Sequence, residues 1–205
     1  MLFRRVVAGM GLAALLMLPA SLLGAGSDPA GARLDSFYAA LLDTMKQARQ
    51  LGIKGRYDKL APVLSKTYDL PLMSQIAVGQ NWATLSAGDQ ESIAKAFARM
   101  TIATYASRFD GFSGERFEVL QTSDQPNGDK IVKTRIVQSD GTVTQLNYLM
   151  RNAGGEWRII DVYLNGTISE LASRRAEFGS ILKSGGPSAL VSALTKQGDK
   201  LLAGG

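Results

Sequence analysis

After Gly111 the apolar period of this chain changes from about 3.6 residues to 2, and that switch limits the possible folds more than any other feature. Four alternating runs, 116–123, 130–138, 143–151 and 156–165, are separated by Asn127-Gly128, Asp140-Gly141 and Asn152-Ala153-Gly154-Gly155. Glycine after Asn or Asp supplies the positive φ that tight hairpin turns demand. Consecutive hairpins of this kind predict a four-stranded antiparallel meander.

Before the switch the pattern is helical. Leu34, Phe37, Tyr38, Leu41, Leu42, Met45 and Ala48 recur at helical spacing and predict one amphipathic helix ending near Gly52. A second helix is expected over 57–67, and a third over 71–78, opened by Asp69 and closed by Gly79. The third is almost wholly apolar, so it should be buried or line a cavity. Ser86 and Asp89 form a capping signature for a helix running to Phe109, with Ile93, Phe97, Met100, Thr101, Thr104 and Tyr105 as its inner stripe.

After the strands, Thr167 with Glu170 reads as a capping box for a helix with Ile168, Leu171, Phe178, Ile181 and Leu182 inward. Asn165-Gly166-Thr167 also spells a glycosylation acceptor, but the turn accounts for it. Gly185-Gly186 should break that helix and Pro187 should start the last one. The expected fold is α+β: a curved four-stranded antiparallel sheet enclosed by about six helices, a half-open cone suited to an apolar cavity.

The N-terminal segment points to a compartment. Met1 to Arg5 are positively charged, Val6 to Leu23 almost uninterruptedly apolar, and Gly24-Ala25-Gly26 small, which together predict an export signal over 1–26 cleaved near Ala25 or Gly26. An uncleaved anchor is the alternative, since about 18 apolar residues can just span a bilayer. Pro19 and the small-residue boundary weigh against it. Residues 27–205 then form a single domain large enough for a substantial core. Losing Arg4 and Arg5 lowers the formal charge from +5 to +3, and the remaining cations are scattered, so no nucleic-acid footprint is indicated.

The chain has no cysteine and no histidine, which excludes disulfides, thiol catalysis, the usual zinc sites and every histidine-based triad. Asp161 is the most unusual acid, because it stands in the apolar strand from Trp157 to Leu164. One reading makes it a general base at the bottom of a pocket. The other, favoured because no second acid stands at a defined spacing, has its oxygens satisfied by backbone donors or by Arg174 or Arg175. Asp124, Asn127 and Asp129 lack the loop length and glutamate of a calcium site and are read as turn residues. Adjacent helix positions lie about 100° apart, so at most one of Arg174 and Arg175 should face a given site.

Trp82, Phe97, Met100, Tyr105, Phe109, Tyr148, Met150 and Trp157 either pack one another or, if helices and sheet diverge, line a cavity. Periodicity is compatible with both.

The stretches FARMTIATYASRFDGFSGERFEVL and WRIIDVYLNGTISELASRRAEFGSILKSGGPSALVSALTKQ resemble the MlaC-like family of bacterial periplasmic lipid-binding proteins, also known as toluene-tolerance proteins. RYDKLAPVLSKTYDLPLMSQIAVGQNW and Phe-Asp-Gly-Phe-Ser-Gly look closer to its hopanoid-associated branch, HpnM. The resemblance implies a soluble carrier without cofactor, metal or catalytic residue. It would move a phospholipid or hopanoid between an inner-membrane transporter with an MCE-type component and an outer-membrane lipid complex.

It also implies a lipid-binding lining of Leu72, Met73, Ile76, Trp82, Phe97, Met100, Thr101, Tyr105, Leu146, Tyr148, Met150, Phe178, Ile181 and Leu182, with Arg174 and Arg175 at the headgroup or rim. Choosing Leu146, Tyr148 and Met150 over their neighbours assumes one strand parity. The Arg174-Arg175 pair departs from the aromatic-arginine pair more usual in the family. Two other readings stand beside this one: an isomerase or hydratase in an NTF2-like cone using Asp161, and a structural adaptor with a solid core.

Overall fold

The computed structural model describes residues 28–204, and the segment 1–26 read as an export signal lies outside them. The elements are α1 (Pro29–Lys46), α2 (Ala48–Thr67), α3 (Leu70–Val78), a 3-10 helix (Gly79–Thr84), α4 (Ala87–Arg108), β1 (Arg116–Asp124), β2 (Lys130–Val137), β3 (Val143–Ala153), β4 (Glu156–Leu164), β5 (Ile168–Ser169) and α5 (Glu170–Leu202). The sheet is antiparallel throughout, in the order β1-β2-β3-β4-β5.

Strands β1 to β4 fall where the alternation and the turns predict them, but the meander has five strands instead of four. After the Asn165-Gly166 turn, Ile168 and Ser169 pair back onto Leu164 and Tyr163 before the helix can start. This moves the cap. Thr167 stays in the turn, and Ser169 caps α5, its Oγ accepting from the Ala172 amide at 2.9 Å. The expected Thr167–Glu170 capping box is therefore absent, and Glu170 turns forward along the helix to Arg174.

Two glycines divide the helices. Gly52 has φ 60° inside α2, and Gly186 has φ 71° inside α5, a backbone region that residues with a Cβ avoid. The first helix stops at Lys46 rather than near Gly52, and regular helix resumes right after Gly52 instead of at 57. Arg56 explains the extra turn. It is buried, with Nε donating to the Ala106 carbonyl at 2.7 Å and Nη1 to the Ala48 carbonyl at 3.1 Å, so it fastens α2 to the C-terminal turn of α4.

Two β-bulges shape the sheet. Leu120 is an extra residue in β1, the free edge strand, and stands exposed. Ile160 is an extra residue in β4, which reverses the alternation so that Ile159, Ile160 and Asp161 are buried in succession. α1 lies on β1, β2 and β4, held by a hydrogen bond between Tyr38 Oη and Thr134 Oγ1 at 2.7 Å and by the Asp28–Lys130 ion pair. The junction of α2 and α3 is pinned to β4 by the Asp69 amide donating to the Ile159 carbonyl at 2.9 Å.

α4 packs chiefly on other helices, α2, α3 and α5, rather than on the sheet. Its cap is the one expected, with Ser86 Oγ accepting from the Asp89 amide at 3.1 Å and donating to the Asp89 carboxylate at 2.6 Å. No helix among the described residues is long and apolar enough to cross a membrane.

The relocated cap is testable in urea unfolding. Ser169→Ala should cost about 1–2 kcal/mol, and Thr167→Ala, exposed and uninvolved, should stay within about 0.5 kcal/mol.

Candidate functional site

The space between α4 and the concave face of the sheet is not filled. It is a cavity of about 230 Å³. α4 contributes Phe97, Met100, Thr101, Thr104, Tyr105 and Arg108, one stripe at i, i+3 and i+4 spacing. Register explains the sheet's share: Thr144 stands opposite Ile136, and Leu146 opposite Leu164, with Val162 two residues back along β4, and all five line the cavity. Met73 from α3, Tyr68, Phe109, Leu171, Glu170 and Arg174 complete the wall.

The lining is mostly hydrocarbon with hydroxyls set into it. Thr104 Oγ1 donates to its own helix at the Met100 carbonyl, 2.9 Å away, which hides its polarity. Tyr68 and Tyr105 hydrogen-bond hydroxyl to hydroxyl at one side of the cavity. Tyr148 lies beside Tyr38, Tyr68 and Tyr105, so four phenols gather at this side, Tyr68 and Tyr105 in the cavity wall and Tyr38 and Tyr148 behind it. Burial pushes the Tyr105 hydroxyl up to about 12, and burial raises Tyr68 and Tyr148 well above their ordinary value. All four are neutral hydrogen-bonding groups at physiological pH.

Charge is confined to the mouth. Glu170 Oε1 accepts from Arg174 Nη2 at 2.7 Å and from its Nε at 3.1 Å, and Arg108 stands exposed on the same rim. Arg174 Nη1 also approaches the Met100 sulfur at 3.8 Å.

The candidate residues separate into groups. Met73, Phe97, Met100, Thr101, Tyr105, Leu146 and Arg174 share the cavity. Tyr148 and Met150 have the same strand parity as Leu146 but are packed into solid core behind it. Phe178 and Ile181 line a groove of about 750 Å³ on the far side of Met100. Leu72, Ile76 and Arg175 border a shallow depression outside α3. Trp82 and Leu182 pack against the periphery of the core.

The two arginines diverge. Arg175 crosses Gly79 and donates to the Ile76 carbonyl at 3.1 Å, satisfying the end of α3, while Arg174 alone reaches the cavity.

Asp161 is not among the cavity residues. Its Oδ1 accepts from the amides of Val162 at 2.8 Å and Leu171 at 3.3 Å, and its Oδ2 from Ser169 Oγ at 2.5 Å. Neither arginine supplies it. Asp129 has a structural partner too, in Arg151, which donates to both its oxygens at 2.8 and 2.7 Å.

Residues that sequence reasoning left out of the site are Tyr68, Arg108, Ile136, Thr144, Val162, Leu164, Glu170 and Leu171. Continuing the α4 stripe by four residues finds Arg108, and extending the Leu146 parity by two finds Thr144. Tyr68 carries no comparable signal, since it lies at a helix end and is brought in by its parallel bridge to Ile159.

A family model described as MlaC protein matches residues 35–196. A solved structure, that of the phospholipid-binding protein from Ralstonia solanacearum in complex with a phospholipid, is similar in fold. The two align with a TM-score of 0.74 at 20% identity, over 85% of this chain and 99% of that one. No curated protein matches significantly.

The buried phenols set an alkaline limit. A hydroxyl that titrates at about 12 when folded and about 10 when unfolded contributes stability that is complete below about pH 10 and is lost as the pH rises to about 12. Unfolding free energies measured across that window should fall with rising pH, and Tyr105→Phe should make the slope shallower.

Proposed function

From the premise that the chain belongs to the MlaC family, we propose that it is a periplasmic lipid carrier that encloses hydrocarbon in the cavity between α4 and the sheet. The observation that carries this reading is that cavity: a mostly apolar wall between α4 and the sheet, closed at one side by neutral phenols and bordered at its mouth by Arg108, Arg174 and Glu170.

The physical need is plain. Exposing a 16-carbon chain to water costs roughly 13 kcal/mol at about 0.8 kcal/mol per CH₂, so unassisted transfer across an aqueous space is slow. A carrier must cover the chain and still release it. Smooth hydrocarbon walls with few polar anchors meet both demands, and arginines at the rim suit an anionic headgroup that stays near water.

A phospholipid is the preferred cargo in this reading, supported by the phospholipid bound in the Ralstonia solanacearum structure of like fold; a hopanoid is the alternative raised by the resemblance of 56–82 to the HpnM branch. The partners would be an inner-membrane transporter with an MCE-type component and an outer-membrane lipid complex. Export would be directed by the segment 1–26. We read the chain as a carrier rather than an enzyme: the oxygens of Asp161, the acid an isomerase or hydratase would use, are already engaged by the start of α5.

The test is an organic extract of the protein expressed with its own N-terminal segment and purified without detergent. Mass spectrometry should find close to one phospholipid per chain, and Leu146→Trp, which fills the cavity, should lower that occupancy several-fold with the fold retained. Protein that emerges free of lipid and takes none from vesicles overturns the reading.

A further inference from the structure

The cavity is smaller than its proposed task. At about 230 Å³ it falls below the ~300 Å³ at which small-molecule sites begin. Directly beyond its wall lies the groove of about 750 Å³. It exists because Gly186 breaks α5, so that the limbs 170–185 and 187–202 diverge over α4. Phe178, Ile181, Leu190, Ala193 and Leu194 form its apolar floor, and Lys196, Lys200, Glu177 and Asp199 stand along its rim.

Met100 and Arg174 are the two residues that border both spaces. We propose that the lipid site has two compartments, one for each hydrocarbon chain of a two-chain lipid, and that the Met100–Arg174 contact is the partition between them; this rests on the lipid-carrier reading above.

The partition is built to yield on one side and hold on the other. Met100 is an unbranched, flexible side chain, and a thioether is a weak acceptor, so its 3.8 Å contact with Arg174 Nη1 is easily given up. Arg174 is held by two hydrogen bonds to Glu170, one turn back on its own helix. Swinging Met100 aside therefore joins the cavity to the groove and leaves a guanidinium at the junction. A diacyl lipid branches next to its phosphate, and this geometry meets that branch: one chain on each side, the phosphate at Arg174. A single-chain amphiphile needs one compartment only.

Ala193→Trp fills the groove without touching the cavity. Vesicles or micelles of a diacyl phospholipid, and of its single-chain lyso form with the same headgroup, are offered to the full-length chain and the variant, and bound lipid is counted by mass spectrometry. Diacyl affinity should fall at least about tenfold while lyso affinity is unchanged. Unchanged diacyl binding overturns the proposal, and so does an equal loss of both lipids in a variant whose circular dichroism and melting match the parent.

If the parent chain binds neither lipid, the carrier reading itself fails and takes this one with it. Should the variant not fold, the parent chain decides. A nitroxide near the end of one acyl chain should broaden the Leu194 methyl signals, and on the other chain those of Thr101 and Leu146; the same set broadened by both labels overturns the proposal.

Discussion

A carboxylate in the middle of an apolar strand must be given donors, because leaving it bare costs several kcal/mol. Asp161 obtains them from the start of α5: the Leu171 amide, the Ser169 hydroxyl and, locally, the Val162 amide. The bargain runs both ways. A helix N-terminus has unsatisfied amides and favours negative charge, so the same contact fastens α5 to the sheet. The α5 share of the cavity mouth depends on that point, since Glu170, Leu171 and Arg174 all lie within the first two turns beyond it.

The bulge at Ile160 makes the arrangement possible. Without the extra residue, strict alternation along β4 would turn Asp161 toward the helix-covered face, where hydrocarbon waits for it. With it, Val162 and Leu164 point into the cavity and Asp161 meets α5. Arg56 does comparable work for α4 by occupying the Ala106 carbonyl in its last turn, which ties it to α2. The space left between α4 and the sheet is lined partly by Thr101, Thr104 and Thr144, side chains too short to fill it.

Much of this is legible in the sequence. The hairpin turns, the four long strands, the cap at Ser86 and the break at Gly186 each follow from one local rule with no competitor. The start of α5 is not legible, because Thr167 and Glu170 satisfy a local pattern that a two-residue strand, set by pairing across the sheet, overrides. The extra helix before residue 57 depends on Arg56 finding the Ala106 carbonyl, far away in sequence, which no window contains. Whether Tyr148 and Leu146, two residues apart on one face, touch solid core or open space depends on where α4 leaves the sheet. That is a tertiary distance, and periodicity does not encode it. Arg174 and Arg175 were separable by helix geometry alone, but which of them would meet the cavity was not.

β1 presents the sheet's free edge, and its bulge at Leu120 has a consequence for the protein in bulk. A straight, apolar edge is a template on which a second copy can add strand to strand, the route to fibres and swapped assemblies. One surplus residue shifts the ladder by half a pleat midway, so hydrogen bonds in register on one side of Leu120 are out of register on the other. A crowded solution of these molecules thus meets, on every copy, an edge that refuses to zip.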